Sequence, residues 1–261
     1  MGDRRKVVIH TNPTLYNQTS FAAAFVSGFR EHGIDAKIVG RNDVGDIHIV
    51  QGPHYAFARW KHHPMVLHLD RCFYGDAATV VSLGWLNPDG SRRFAAPARE
   101  PKGALPEIQP AKKYRGSAVV LGDYAADSGT LIEAARKRFE RVYFKPHPQG
   151  ATYPGVMNIT GGLDGVFNLC DVAVGHRTSA LVAAALAGLY IVTTDKHHAC
   201  KPIAFGFDEN ERIGEREEWL AGLSWQQWSL SEIKSGEFWS SLKCQSPLLP
   251  SQSQNQSSLQ I

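Results

Sequence analysis

The stretch Arg141-Val142-Tyr143-Phe144-Lys145-Pro146-His147-Pro148 joins a short apolar strand to a proline-rich turn at its carboxyl end. A second apolar run, Asp171-Val172-Ala173-Val174, leads in the same way into Gly175-His176-Arg177-Thr178-Ser179. Short apolar runs bounded by turn residues are typical of strands in a buried parallel sheet. Ligands bind outside the carboxyl ends of such strands, so we expect the polar residues of both segments to meet at one sheet edge.

Strand-like and helix-like segments alternate on both sides of this stretch. Strands are predicted at residues 6–10, 36–39, 46–50, 65–69, 118–121, 142–144, 172–174 and 190–194. Helices are predicted at 20–31, 55–62, 127–139, 165–170 and 178–186, and two more between 216 and 242. This alternation predicts parallel sheets with helical crossovers, which is an α/β fold.

A proline-rich interval at residues 95–115 interrupts the alternation and is predicted to be a linker. The chain is therefore expected to consist of two Rossmann-like halves facing a cleft, and clefts between domains are preferred ligand sites. The predicted boundaries are an N-terminal domain at 1–94 and a C-terminal domain at 116–244 that includes the terminal helices. Residues 245–261, which are rich in Ser and Gln, are expected to be disordered.

Composition narrows the class of protein. The chain is 43% hydrophobic and 20% charged, which is typical of a soluble globular protein. It has no apolar run of membrane-spanning length, and its N-terminus lacks the apolar segment of a signal peptide, so a cytoplasmic location is expected. Its four cysteines are scattered without a Cys-x-x-Cys pair, which favours free thiols over a disulfide framework or a zinc site.

Charge is distributed unevenly between the two halves. Residues 1–115 contain 16 Lys and Arg against 10 Asp and Glu, a net charge of +6, whereas residues 116–261 contain 12 against 15, a net charge of −3. An excess of positive charge favours an anionic partner for the first half. An ordinary solvated surface would also account for it.

Several residue types in the two opening segments suit phosphate oxygens. Lys145, His147 and Arg177 supply positive charge or N–H donors, and the hydroxyls of Thr178 and Ser179 stand where a helix is expected to begin. Gly175 permits a close backbone approach, and Gly122-Asp123-Tyr124 adds a third loop at the same predicted edge. Taken singly, His147 could be a turn residue and the hydroxyls could be helix caps. Together they predict a site for a nucleoside mono- or diphosphate.

The Lys-Pro-His-Pro segment, the later Gly-x-x-Thr-Ser-Ala segment and a small-residue helix ending at Ala187-Gly188 resemble the second half of GT-B-type glycosyltransferases. The likeness covers about residues 116–195 and is greatest to the capsule-polysaccharide and sialyltransferase-like groups, which share a His-Pro motif and a Ser/Thr motif. The resemblance implies that the C-terminal domain binds a nucleotide-sugar donor and the N-terminal domain binds the acceptor. It implies phosphate contacts from His147, Thr178 and Ser179, with Lys145, Gly175, His176, Arg177, Gly122 and Asp123 as further binding residues.

Sugar transfer from such a donor leaves a phosphate whose negative charge grows in the transition state. The sequence contains no Asp-x-Asp motif for a metal, so we expect no metal and no cofactor besides the donor substrate itself. Protein donors would then stabilise the charge, with His147 as a candidate general acid. For the base that deprotonates the acceptor hydroxyl, Asp70 is the first candidate and Asp76 the second. Two further segments, 10–12 and 82–87, are expected to line the site, the latter with aromatic Trp85.

The acceptor is the least determined part of the hypothesis. A basic cluster surrounds the linker: Arg92, Arg93, Arg99, Lys102, Lys112, Lys113 and Arg115. The compact size and the stretch Asp70-Arg71-Cys72-Phe73-Tyr74-Gly75-Asp76 resemble short phage-encoded glycosyltransferase-like proteins. This resemblance implies a 5-hydroxymethylated pyrimidine in DNA as the acceptor, flipped out of the duplex for reaction. A surface polysaccharide or glycolipid is the alternative acceptor.

A sugar-nucleotide 2-epimerase and a non-catalytic nucleotide-binding module remain alternative functions. The sequence does not indicate an oligomeric state, and the pairs His62-His63 and His197-His198 are interpreted as surface or loop residues.

Overall fold

A computed structural model of the chain describes residues 5–10, 18–39, 44–51, 63, 65–86, 92–93, 104–123, 127–148 and 150–243. These residues fall into two compact units, one drawn from 1–102 together with 224–261 and the other from 103–223. The first unit is built on a mixed parallel and antiparallel sheet, and the second unit on a parallel sheet. The helix predicted at 55–62 lies outside the described residues.

The sheet of the first unit has the strand order β12-β5-β4-β3-β1-β2, with β6 beside β5. Strands β1 to β4 are parallel, and β5 runs antiparallel to β4. The bounds are β1 Lys6–His10, β2 Asp35–Val39, β3 Ile47–Gln51, β4 Val66–Arg71, β5 Val80–Leu86, β6 Arg92–Arg93 and β12 Gln227–Ser229, with helix α1 at Gln18–Arg30. Alternate residues of β1, β3 and β4 face α1, and this face forms the main apolar core.

The chain from Ser224 onwards returns to the first unit, which corrects the predicted placement of the last helices in the C-terminal domain. The helix at Arg216–Ser224 belongs to the second unit except for its last residue. Strand β12 pairs with β5 in antiparallel register, and the short helices α6 (Leu230–Lys234) and α7 (Glu237–Leu242) pack on α1. The ring of Phe238 lies 5.1 Å, centroid to centroid, from each of the rings of Phe25 and Phe29. Burial of these aromatic side chains against α1 removes a large apolar area from water, which favours the return of the chain to the first unit.

The second unit has a five-stranded parallel sheet with the strand order β11-β10-β7-β8-β9. Its strands are β7 Ser117–Leu121, β8 Arg141–Lys145, β9 Met157–Asn158, β10 Val172–Gly175 and β11 Tyr190–Thr193. Its helices are α2 Ser128–Arg138, α3 Leu163–Leu169, α4 Ala180–Leu186 and α5 Arg216–Ser224, with a 3-10 turn at Lys201–Ile203. The central strands are almost entirely buried, as expected when both faces of a parallel sheet are covered.

The connection into the second unit is fixed to its surface by hydrogen bonds. Residues 104–115 contain no helix or strand. The buried carboxylate of Asp171, just before β10, accepts hydrogen bonds from the backbone N–H groups of Arg115 (2.6 Å), Gly116 (3.0 Å) and Ser117 (2.9 Å). The carboxylate therefore anchors the start of β7, one of the strands whose carboxyl ends carry the predicted site.

We expect Asp171→Asn to lower the free energy of unfolding by about 2 kcal/mol, because an amide offers one oxygen where three donors now meet a carboxylate. Urea denaturation at neutral pH measures this. The matched control is Asp208→Asn, which neutralises an exposed carboxylate of the same unit. Equal stabilities of the two variants would show that Asp171 does not anchor β7.

No helix among the described residues is long and apolar enough to cross a membrane.

Candidate functional site

The site predicted from the sequence lies where the strand order of the second sheet reverses. From β7 the chain crosses to β8 on one side, whereas β10 lies on the other side of β7 and is followed by β11 still further out. In such sheets the loops at the point of reversal diverge and leave a crevice for a ligand. Here those loops are Gly122-Asp123, after β7, and His176-Arg177, after β10.

Gly122 brings the loop after β7 against the loop after β8. Its N–H donates to the carbonyl oxygen of Lys145 at 2.8 Å. A Cβ atom at this position would lie 2.8 Å from the backbone nitrogen of His147, which is closer than real Cβ contacts come. Beyond it, the N–H of Gly150 donates to the carbonyl of His147 at 2.7 Å and closes the turn around Pro148. The half-buried His147 is thus held on a stiff turn beside Gly122, as its flanking prolines predict.

Arg177 is held at both its backbone and its side chain by carboxylates from two other loops. Its backbone N–H donates to Oδ2 of Asp123 at 2.7 Å, directly across the point of reversal. Its Nε donates to Oδ2 of Asp195 at 3.0 Å. The Arg177 side chain keeps 40% of its surface exposed, whereas that of Asp195 keeps 11%. The contact with Asp195 adds the loop after β11 to the site.

Two threonines at the end of β11 form further hydrogen bonds with the loop after β10. The hydroxyl of Thr193 donates to the carbonyl of His176 at 3.1 Å, and the Thr194 hydroxyl lies 2.8 Å from Nδ1 of His176. Together with the contacts of Gly122 and Arg177, these bonds join four loops along the order β8-β7-β10-β11. The predicted binding residues Lys145, His147, Gly122, Asp123, His176 and Arg177 are therefore brought to one edge.

The hydroxyl-bearing residues precede helix α4, which begins at Ala180. Ser179 is exposed and its side chain makes no capping hydrogen bond, so the helix-cap explanation of this hydroxyl does not hold. The Thr178 hydroxyl makes only a long contact, 3.4 Å, with the N–H of Ala180. Gly175 packs closely here, since a Cβ there would lie 2.8 Å from Cγ2 of Thr178.

His198 supports the same turn from outside the predicted set. Its Nε2 donates to the carbonyl of Thr178 at 3.1 Å, and its Nδ1 accepts from the N–H of Cys200 at 3.0 Å. These two bonds require a neutral ring with the proton on Nε2. The interpretation of His197-His198 as simple loop residues is therefore incomplete.

The Asp195 carboxylate is charged at neutral pH. Burial by itself would raise the pKa of this carboxyl, but the hydrogen bond from His197 N–H and the nearby charge of Arg177 outweigh the burial and hold the pKa below its ordinary value. The backbone N–H of Asp195 also donates to the hydroxyl oxygen of Thr193 at 3.3 Å. The sequence analysis missed Asp195, although Thr193-Thr194-Asp195 is a polar segment at the end of a predicted strand and carried the same signal as the others.

The two candidate bases lie in the first unit, at and after the carboxyl end of β4. Asp70 is half-buried, and its Oδ1 accepts the N–H of Arg71 at 2.8 Å. Asp76 is exposed and shapes a turn, because its Oδ1 accepts the N–H of Ala78 at 2.8 Å. The turn gives Asp76 a structural role that Asp70 lacks, and the assignment of either as a base stays a prediction.

His10 and Trp85, from the two segments expected to line the site, are instead buried in the first unit. Trp85 lies within β5 with 1% of its surface exposed, and its Nε1 donates to the carbonyl of Leu242 at 3.1 Å. A tryptophan so placed stabilises the core and cannot be an aromatic wall. His10 is the last residue of β1 and is also buried, while residues 11 and 12 lie outside the described residues.

His10 belongs to a cluster of histidines on the sheet face opposite α1. Its Nε2 lies 2.9 Å from Nδ1 of His48, and the two rings stack with 5.2 Å between centroids. Nε2 of His48 lies 3.0 Å from the carbonyl of Gly45, and the ring of His63 meets that of His48 edge-on at 4.3 Å. His63 is thus not a simple surface residue. Burial and the neighbouring rings of His63 and His10 lower the pKa of His48 to about 4.

Within the described part of the chain, no group of three or more His, Cys, Asp or Glu side chains is arranged to hold a metal ion. The basic cluster near the linker is described only in part. Of its members, Lys112 is engaged, because its Nζ donates to the carbonyl of Phe167. This contact fixes the position of the ammonium group, and its positive charge remains because the carbonyl oxygen is neutral.

No protein-family model matches the chain, and no curated protein matches its sequence. Among solved structures, the chain is similar to the KpsC β-Kdo 2,7 transferase of Thermosulfurimonas dismutans, with a TM-score of 0.52 and 10% identity over 89% of this chain and 98% of that chain. The KpsC β-Kdo 2,4 transferase of the same organism matches with a TM-score of 0.43 and 10% identity, over 85% of this chain and 89% of that chain. The glycosyltransferase SnogD from Streptomyces nogalater matches with a TM-score of 0.29 and 14% identity, over 90% and 95%.

The first of these likenesses extends over nearly the whole of both chains and shows a shared fold. With the two sheet-based units, it confirms the predicted α/β class of two Rossmann-like halves of the GT-B kind.

Proposed function

We propose that the chain is a glycosyltransferase that moves a sugar from a nucleotide-sugar donor to a hydroxyl acceptor. The observation that carries this proposal is the hydrogen bond between Arg177 N–H and the Asp123 carboxylate, at the point where the strand order reverses. It joins the loop after β7 to the loop after β10, which contains the Thr-Ser segment, at the edge where α/β sheets bind their ligands. The hydrogen bond from Gly122 N–H to the Lys145 carbonyl joins the same loop after β7 to the His-Pro turn after β8. The fold shared with a Kdo transferase supports the same class of reaction.

The donor's phosphate is proposed to bind among Lys145, His147, Arg177 and the hydroxyls of Thr178 and Ser179. Arg177 is suited to this task because guanidinium N–H groups match phosphate oxygens in a planar fork. Its Nε is already occupied by Asp195, so the terminal NH₂ groups are the ones proposed to meet the ligand. The exposed Ser179 hydroxyl makes no capping hydrogen bond to the helix, so it is proposed as a further donor to the phosphate.

In the proposed reaction the acceptor oxygen forms a bond to the anomeric carbon of the sugar, and the bond from that carbon to the donor phosphate breaks. The electron pair of the broken bond stays on the phosphate, whose added charge is stabilised by His147 and Arg177. The proton of the acceptor hydroxyl goes to a carboxylate, for which we propose Asp70 rather than Asp76, since Asp76 already shapes its own turn.

We propose that the reaction proceeds without a bound metal, because the sequence lacks an Asp-x-Asp motif and the proposed phosphate ligands are cationic or neutral donors. For the acceptor, the charge of the first half of the chain favours a phosphate-bearing molecule, here a 5-hydroxymethylated pyrimidine in DNA. A hydroxyl of a surface polysaccharide or glycolipid is the second acceptor class.

The decisive experiment incubates the purified chain with nucleoside-monophosphate- and nucleoside-diphosphate-linked sugars, in the presence of EDTA. Each donor is paired with hydroxymethylated DNA, with unmodified DNA of the same sequence, or with glycan acceptors, and products are identified by mass spectrometry. A sugar added to one acceptor class and not to the other identifies the acceptor. Activity that requires an added divalent cation would contradict the metal-independent part of the proposal.

The same experiment separates the alternative functions. A 2-epimerase would convert the sugar of the donor without any acceptor, and a binding module would leave every donor intact while still binding nucleotide. The two carboxylates beside the proposed phosphate site, Asp123 and Asp195, are both engaged by Arg177, which does not favour an acid/base role for them in epimerisation. Intact donors across the whole panel would overturn the transferase proposal.

A further inference from the structure

Arg177 is fixed twice, and its two partners differ in what they control. Asp123 holds the backbone N–H and therefore the position of the residue, whereas Asp195 holds Nε and therefore the direction of the guanidinium plane. Long cationic side chains normally lose rotational freedom when they bind an anion. A guanidinium already held at Nε has lost much of that freedom before the ligand arrives.

Asp195 is itself held rigidly, which a positioning group requires. Its Oδ1 accepts the N–H of His197 at 3.0 Å, its own N–H meets the Thr193 hydroxyl at 3.3 Å, and only 9% of the residue is exposed. Because the same Thr193 hydroxyl donates to the carbonyl of His176, the loop after β11 fixes both residues of the loop after β10.

We propose that Asp195 is a positioning residue of the donor site, which directs the terminal NH₂ groups of Arg177 towards the ligand's phosphate. This inference rests on the proposed function, and it adds a residue from a strand end outside the two recognised motifs. Asp195 does not touch the ligand in this proposal. It acts through Arg177, so its effect must disappear when Arg177 is removed.

The sign of the effect distinguishes positioning from simple charge. A carboxylate near a phosphate repels it, so if Asp195 had no positioning role, Asp195→Asn would tighten nucleotide binding. If Asp195 positions Arg177, the same variant weakens binding, because the guanidinium is released to other rotamers. We expect about a ten-fold loss of affinity, which corresponds to about 1.4 kcal/mol.

Titration calorimetry with CMP and UDP as probes, and with cytidine and uridine as their phosphate-free counterparts, tests the inference. Asp195→Asn is expected to weaken the two nucleotides and to leave any nucleoside binding unchanged, since the loss is confined to the phosphate. In an Arg177→Ala background, Asp195→Asn should cause no further loss, which a double-mutant cycle measures. Glu211→Gln is the matched control: it removes the exposed Arg138–Glu211 ion pair of the same unit and should change nothing.

Asp195→Glu is the second variant, in case the asparagine variant does not fold. It keeps the charge but adds one methylene, so it should also weaken the nucleotides if direction matters. Unchanged or tighter nucleotide binding by either folded variant, or an undiminished loss in the Arg177→Ala background, would overturn the inference alone. Failure of the wild-type chain to bind CMP or UDP better than the nucleosides would overturn the donor site, and the inference with it.

Discussion

His147→Ala is expected to lower the rate of sugar transfer about 100- to 1,000-fold, the usual effect of removing one preorganised donor from a developing oxyanion. His147 is held on a turn closed by the Gly150–His147 hydrogen bond and crowded by Gly122, so its position is fixed before the ligand binds. An alanine leaves the backbone turn intact and removes only the imidazole. The measurement is the single-turnover rate with the best donor found in the panel.

A second variant separates two roles of this imidazole. His147→Gln keeps an N–H donor but cannot deliver a proton, so a partial recovery of rate assigns His147 to hydrogen bonding and no recovery assigns it to acid catalysis. The matched control is His32→Ala, which removes a half-buried histidine of the first unit, bonded to the carbonyl of Gly236. A rate for His147→Ala equal to that of the control would remove His147 from the mechanism.

Four of the five strands of the second sheet could be predicted, and β7 and β10 gave the clearest pattern because they are buried on both faces. The two-residue strand β9 was not predicted. Strands such as β7 and β10 are uninterrupted apolar runs, and each is followed at once by Gly or polar residues. The strand order cannot be derived from these local patterns, since it depends on which helix crosses which face. The contact of Asp123 with Arg177 and that of Asp195 with Arg177 follow from that order, so the sequence could suggest the residues but not their pairing.

The first sheet was harder to interpret because its period-two pattern contains polar residues on a buried face. His10 in β1, His48 in β3 and His68 in β4 lie on the sheet face opposite α1, and all three are buried. A polar residue that alternates with apolar residues along a strand usually faces solvent, so this pattern does not predict the burial of these histidines. Trp85 was misassigned because no strand was predicted at residues 82–87, where β5 places this side chain in the core.

The return of the C-terminal segment to the first unit could not be predicted from local periodicity. β12 has only three residues and α6 only five, too few for a reliable pattern. Their position is fixed by tertiary contacts, chiefly of Phe238 with α1 and of the Trp85 indole with the Leu242 carbonyl. Such contacts join residues more than 150 positions apart in the sequence.

The histidine cluster should make the first unit sensitive to acid between about pH 6.5 and pH 4. The ring of His48 is neutral in the folded chain, with Nδ1 towards Nε2 of His10 and Nε2 towards the Gly45 carbonyl. Burial and the rings of His63 and His10 lower its pKa to about 4, from 6.5 in the unfolded chain, while Asp46 opposes the shift only partly. The unfolded state therefore binds more protons than the folded state throughout this interval.

The sign follows directly from this difference in bound protons. The stabilisation is complete above pH 6.5 and is lost as the pH falls towards 4, by at most about 3.5 kcal/mol, since each pKa unit is worth about 1.4 kcal/mol. Urea denaturation of the wild-type chain at a series of pH values measures the slope. His48→Gln removes the titrating ring, so its free energy of unfolding should fall less steeply over the same interval, whatever its value at pH 7.

Because other groups also titrate in this interval, the test is the difference between the variants in the slope of the free energy of unfolding against pH. His32→Gln replaces a half-buried histidine outside the cluster and should keep the wild-type slope. NMR titration of the wild-type chain gives an independent readout, in which the His48 ring should stay neutral down to about pH 4. The prediction would be contradicted by equal slopes for wild type and His48→Gln together with a His48 ring that titrates near pH 6.5. Water or a rearrangement of the cluster would then relieve the burial that lowers the pKa of His48.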